Sequence, residues 1–203
     1  MDTAEDRARR IKILIFDVDG VLTDGQLYFI PQTAPDGRQY ALEFKGFTAH
    51  DGLGITLARL GGLRVGIITK RESATVAIRA RDLKLEFVYQ GQAYKMEAVN
   101  DILRRCNATI DELAYVGDDV VDLPVMRACG LSIATQNARR EAKAAAHYVT
   151  PHMGGQGAGR DAIDFILASQ GKLEAAIEAM LDASNPSASA ADIGTGREIT
   201  EPQ

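Results

Sequence analysis

Short apolar runs alternate along this chain with stretches whose hydrophobic positions recur every three to four residues. The first pattern belongs to strands buried on both faces, the second to amphipathic helices. Strands are predicted at 11–16, 63–69, 87–89, 114–116, 131–134 and 148–150, and helices at 54–60, 73–83, 95–106, 122–128, 138–146 and 157–169. That order predicts an α/β fold with a central parallel sheet covered by helices on both faces. One stretch breaks the alternation. Between 26 and 44 the segments LYF and YALEF flank PQTAPDG, which predicts a β-hairpin turning at Asp36-Gly37 and protruding beyond the sheet. A short helix is predicted at 172–181, and residues 184–203, rich in Ser, Ala, Gly and Pro, are predicted to be a disordered tail. The expected organisation is an N-terminal extension over 1–10, one domain over 11–183 carrying the hairpin, and the tail, with no internal repeat.

Composition narrows the class. The chain has 203 residues, 46% of them hydrophobic, which suffices for one domain with a full core. Its two cysteines, Cys106 and Cys129, read as reduced thiols of a cytoplasmic protein. The first ten residues are charged, and the apolar run after them is too short for a signal peptide or a membrane span. A net charge of −5 with scattered Lys and Arg offers no basic face, which argues against nucleic-acid or membrane partners.

The candidate chemistry sits at the ends of the predicted strands. IKILIFDVDG ends an apolar strand on Asp17 and Asp19. Two carboxylates so close repel unless a proton or cation lies between them, although DVDG alone also suits an N-cap followed by a turn aspartate. A second acidic cluster, AYVGDDVVDLPVM, places Asp118 and Asp119 after Gly117, with Asp122 one turn on, where it could also cap a helix. Oxygen ligands from two strand ends, with no His or Cys cluster competing, favour Mg²⁺. His50, His147 and His152 are not spaced as metal ligands, and no GxSxG, P-loop or HExxH motif is present. The strand at 63–69 ends in Thr69, Lys70 and Arg71, a hydroxyl and two cations suited to a phosphate, though Thr69 alone also suits a helix start. Lys95 opens the helix KMEAVNDIL, where a cation opposes the helix dipole unless it faces an anion.

In order, DxD, a Thr after a second strand, a Lys and GDDxxD resemble the four motifs of the haloacid dehalogenase superfamily of phosphohydrolases. DVDGVLTDG, DGLGI, IITKRES, YQGQAYK, YVGDDVVDLPVM, GGQGAGRDAIDFIL and ASQGKLE further resemble its small capless branch of 3-deoxy-D-manno-octulosonate 8-phosphate phosphatases, across residues 12–174. The resemblance implies a Rossmann-like three-layer sandwich without a cap domain, and Mg²⁺ as cofactor. It implies Asp17 as nucleophile and Asp19 as general acid and base whose backbone carbonyl also binds the metal. Asp118 would complete the metal ligands, Asp119 and Asp122 would orient them, and Thr69 and Lys95 would hold the transferring phosphoryl group. It further implies a small acidic sugar phosphate as substrate and a place in lipopolysaccharide precursor synthesis; Arg71, Arg79 and Arg160 are the cations assigned to its carboxylate or phosphate, with Lys70 beside Arg71 as a further candidate. Homotetramers are implied too, neighbouring hairpins and C-terminal segments closing each site. Three positions depart from the branch: Lys70 stands where a glycine is usual, and Gly159 and Asp161 replace Val and Glu. Other readings are a phosphatase of a nine-carbon keto-sugar acid 9-phosphate, a receiver-type signalling domain, and a non-catalytic phosphosugar-binding module.

Overall fold

β1 (Ile13–Phe16) is the sequence ILIF, and every one of its side chains is buried. That is the condition of a strand covered on both sides of its sheet. The computed structural model describes residues 2–182, 184 and 185. After β1 come the hairpin strands β2 (Tyr28–Thr33) and β3 (Gln39–Phe44), then β4 (Arg64–Ile68), β5 (Phe87–Tyr89), β6 (Leu113–Gly117), β7 (Leu131–Ala134) and β8 (Tyr148–Val149). The helices are α1 (Ala4–Ala8), α2 (Ala49–Leu60), α3 (Ala74–Asp82), α4 (Lys95–Cys106), α5 (Leu123–Ala128), α6 (Arg140–Ala145), α7 (Ala158–Ser169) and α8 (Leu173–Leu181). The main sheet is parallel throughout, in the order β5-β4-β1-β6-β7-β8.

Period-2 alternation divides the core. Ile13 and Ile15 join Val99, Ile102 and Met126 beneath α4 and α5, whereas Leu14 and Phe16 join Ile55, Leu57, Ile163 and Leu167 beneath α2 and α7. From β1 the chain runs to β4 on one side and returns as β6 on the other. The carboxyl ends of β1, β4 and β6 therefore meet at a switch point, the usual ligand position in such sheets.

One helix departs from the sequence expectation. Helix α2 begins at Ala49, capped by the Thr48 side chain, five residues before the predicted start. Its glycines hide it, since they lower helix propensity. Gly54 is nonetheless favoured there, because an added Cβ would come within 2.9 Å of the Arg160 side chain and 3.2 Å of its Cα. Within residues 1–10 the chain forms α1 and packs onto the domain. Thr3 and Asp6 form a capping box for α1, Ala8 enters the core, Arg7 donates to the Gly130 carbonyl at 2.8 Å, and Gln170 donates to the carbonyls of Ala8 and Ile11. The tail predicted over 184–203 lies, from residue 186 on, outside the described residues.

The hairpin forms as expected, with Gly37 at φ +83° in its turn. It forms a sheet of its own, apart from the main one. Tyr28 stacks on Phe44 at 4.9 Å, and Ile30 pairs with Leu42 on the same face. Ile30, Tyr40, Leu42 and Phe44 each remain about half exposed.

Candidate active site

Asp17 leaves the end of β1 with its amide still donating to the Val116 carbonyl of β6, at 2.9 Å. On β6 the residue opposite Phe16 is Val116, and Gly117 and Asp118 follow it. Gly20, at φ +86°, makes the turn after β1, and a Cβ there would lie 2.2 Å from Asp118 Oδ2. Only glycine meets both the turn and the close approach. Lys95 enters from the first turn of α4. Its buried ammonium lies 2.9 Å from Asp17 Oδ1 and 2.7 Å from Asp122 Oδ1, and it donates to the Tyr115 hydroxyl at 3.0 Å. Burial works against the Lys95 charge, but Asp17 and Asp122 outweigh it and raise its pKa.

Carboxylate oxygens of Asp17, Asp118 and Asp122 lie within 4.8 Å of one another. Asp122, fully buried, is already committed: Oδ1 also accepts from Tyr115 at 2.7 Å, and Oδ2 accepts from the amides of Asp118 and Asp119 at 3.0 and 3.2 Å. Its side chain thus ties the turn after β6 rather than capping α5. Asp17 and Asp118 keep free oxygen valence. Burial, with mutual repulsion among the aspartates, raises both of their pKa values to about 7. A divalent cation relieves that repulsion, and an all-oxygen donor set fits Mg²⁺.

Asp19 turns the other way. Its Oδ1 pairs with Lys45, whose side chain is 1% exposed, and its Oδ2 lies 3.8 Å from Arg71 Nε. Glu43, from the end of β3, pairs with Arg71 at 2.6 Å and approaches Lys45 at 3.6 Å. The cleft above these groups, about 270 Å³, is lined by Asp17, Asp19, Gly25, Thr69, Lys70, Arg71, Asp118, Asp119 and Val121. A larger hollow of about 440 Å³, beside the N-terminal segment, holds cations already paired: Arg9 with Asp6, Arg10 with Asp2, and Lys12 with Glu112.

A family model of haloacid dehalogenase-like hydrolases matches residues 68–158. The 3-deoxy-D-manno-octulosonate 8-phosphate phosphatase of Escherichia coli K12 is 41% identical over 170 residues, covering 84% of this chain and 86% of the relative. The chain belongs to this phosphatase family of haloacid dehalogenase-like hydrolases. The Yersinia pestis phosphatase of the same name aligns with a TM-score of 0.76 at 39% identity, covering 85% of this chain and 89% of that one. The Moraxella catarrhalis phosphatase, solved in complex with magnesium ion, phosphate ion and a KDO molecule, aligns with a TM-score of 0.77 at 34% identity, covering 86% and 96%.

Of the residues singled out from the sequence of this haloacid dehalogenase-like hydrolase, Asp17, Asp19, Thr69, Lys70, Arg71, Asp118 and Asp119 line one cleft, with Lys95 and Asp122 buried beside it. Arg79 and Arg160 do not line it. Arg79 lies over the Phe47 ring and near the Thr48 carbonyl, and Arg160 pairs with Asp164 one helical turn along α7. Sequence reasoning missed Lys45, Glu43 and Tyr115. The first two lie in or just past a hairpin strand, where charged residues ordinarily face solvent, and nothing local signals that position 45 meets position 19.

Proposed function

We propose that this chain is a Mg²⁺-dependent phosphatase that hydrolyses 3-deoxy-D-manno-octulosonate 8-phosphate to the free acidic sugar and inorganic phosphate, in the cytoplasm, within lipopolysaccharide precursor synthesis. The observation that carries the reading is the convergence of Asp17, Asp118 and Lys95 at the ends of β1, β6 and α4, in a member of this family. The carboxylates of Asp17 and Asp118 and the backbone carbonyl of Asp19 are the metal ligands. Mg²⁺, when bound, supplies positive charge that lets two carboxylates and a phosphate share one cleft.

Asp17 attacks phosphorus as a carboxylate. As its P–O bond forms, the bond to the sugar oxygen breaks, and the Asp19 carboxyl gives its proton to the leaving alkoxide. Asp19 then takes a proton from water, whose oxygen attacks the aspartyl-phosphate, releasing phosphate and restoring Asp17. Thr69 and Lys95 face the transferring oxygens and offset the charge that develops on them. Between these two proton transfers, Lys45 and Arg71 hold the Asp19 carboxylate at the cleft wall. Asp122 acts through Lys95, Tyr115 and the amides of Asp118 and Asp119, fixing the frame around the reacting groups.

The active assembly is a homotetramer in which neighbouring subunits close the capless cleft, and the uncovered apolar face of the hairpin supports that reading. Arg79 and Arg160 contribute to substrate binding only across such a boundary. Lys70 at the cleft wall favours one second reading, a longer nine-carbon acidic sugar phosphate handled by the same chemistry. Phosphate release from the eight-carbon 8-phosphate, a nine-carbon acid 9-phosphate and simple sugar phosphates, each with Mg²⁺ and with chelator, tests both. Mg²⁺-dependent preference for the first is expected; preference for the second would move the assignment to the longer sugar.

A further inference from the structure

Arg71 is a cation on the cleft wall whose planar fork suits a substrate carboxylate, yet it already holds one. Its Nη2 lies 2.6 Å from Glu43 Oε1, a contact reaching from the end of β4 to the hairpin. The guanidinium is only partly satisfied, since its Nε has no hydrogen-bond partner and Asp19 Oδ2 stands 3.8 Å away. Exposure grades the cluster: the side chain of Arg71 is 40% exposed, that of Glu43 16% and that of Lys45 1%. Arg71 is therefore the member that an incoming ligand reaches.

We propose that Glu43 is a specificity-determining residue that stands in for the substrate carboxylate on Arg71 and yields that place only to another carboxylate. The inference deepens the proposed function and rests on it. The exchange is nearly balanced in charge and hydrogen bonding, because one carboxylate replaces another on the same planar fork. Glu43 is not stranded when displaced, since Lys45 lies 3.6 Å away and remains as its cation. Its strand also keeps its place, with the Glu43 carbonyl accepting from Thr75 Oγ1 at 3.4 Å. A sugar phosphate without a carboxylate has nothing to offer Arg71, so the Glu43 contact stays closed against it. Selectivity for acidic sugars then arises from competition as well as attraction.

The test separates carboxylate binding from phosphate binding. With p-nitrophenyl phosphate as reporter substrate and Mg²⁺ present, inhibition constants are measured for 3-deoxy-D-manno-octulosonate, which carries the carboxylate alone, and for inorganic phosphate. In Glu43→Gln, inhibition by the acidic sugar should strengthen by about threefold to tenfold, the scale of losing one charged competitor, while that by phosphate moves less than about twofold. Glu43→Ser, too short to reach Arg71, should act in the same direction, and its thermal melt confirms folding. An equal gain for both inhibitors would mean a general charge effect and would overturn the inference, as would unchanged or weaker binding of the acidic sugar. If the wild-type protein hydrolyses the 8-phosphate but the variants show no selective gain, only the stand-in role fails. If the wild-type protein neither hydrolyses the 8-phosphate nor binds the acidic sugar, the functional reading fails with it.

Discussion

Two buried carboxylates, Asp17 and Asp118, dominate the residue scale. Both have pKa values raised to about 7 by burial and by their neighbours, so without metal each keeps its proton up to near-neutral pH. At the proposed Mg²⁺ site both serve as carboxylates, so metal binding there requires both to ionise and releases protons. Mg²⁺ affinity is expected to fall as pH drops from 8 to 6, by about tenfold or more, and calorimetric titration across that range measures it. The stability of the metal-free protein carries the matching sign: the raised groups favour the fold below pH 4, and that contribution is lost as pH rises to 7. Saturating Mg²⁺ should flatten the loss in thermal melts. Asp17→Asn tests the proposed nucleophile directly. The amide keeps the size of the side chain and an acceptor for Lys95, so phosphate release should drop by at least about a thousandfold while the melting temperature stays within a few degrees.

Elements hold the site through contacts between loops. Asp51, buried in the first turn of α2, accepts from the Arg160 amide at 2.8 Å and so fixes the start of α7. The loop before α7 lies against the turn after β1: Gly155 donates to the Val21 carbonyl, and Asn137 bridges the Gly154 amide and the Gly20 carbonyl. A Cβ on Gly154 would stand 1.9 Å from the Gly20 oxygen, which is backbone and has no side chain to swing aside. Gly154→Ala is therefore expected to destabilise the protein by about 2 kcal/mol or more and to lower activity by shifting the Asp17–Gly20 turn. Denaturant unfolding and phosphate release, measured on the same preparation, check both parts.

At the scale of the whole molecule the hairpin is the unbalanced piece. A two-stranded ribbon is marginal alone, and this one leaves Ile30, Tyr40, Leu42 and Phe44 about half exposed around the Tyr28–Phe44 stack. Burying that face against other copies is the assembly we propose. Ile30→Glu combined with Leu42→Glu places like charges on directly opposed positions of that face. Sedimentation velocity should show this variant dissociating to smaller species, with activity lost in parallel because the neighbours no longer close the cleft. A variant that keeps both its mass and its activity would remove the hairpin from the interface.

The linear pattern of the chain determined the parallel sheet, its flanking helices and most of their boundaries, since period 2 and period 3.6 are local properties that neighbouring residues enforce. It also determined that Asp17, Thr69, Lys95 and Asp118 belong together, because each sits at a carboxyl-end loop or helix start and a parallel sheet gathers those on one edge. The N-terminal helix and the early start of α2 were not legible: five residues give no periodicity, and the glycines in the first turns of α2 imitate a loop. Tertiary structure alone decided how the charges pair. Lys45 meets Asp19, Glu43 takes Arg71, and Asp122 gives its oxygens to Lys95, Tyr115 and two amides, contacts set by the meeting of separate elements in space. Charge type is written in the sequence, but its partner is fixed only when the chain folds, because Coulomb and hydrogen-bond energies depend on distances between atoms remote along the chain.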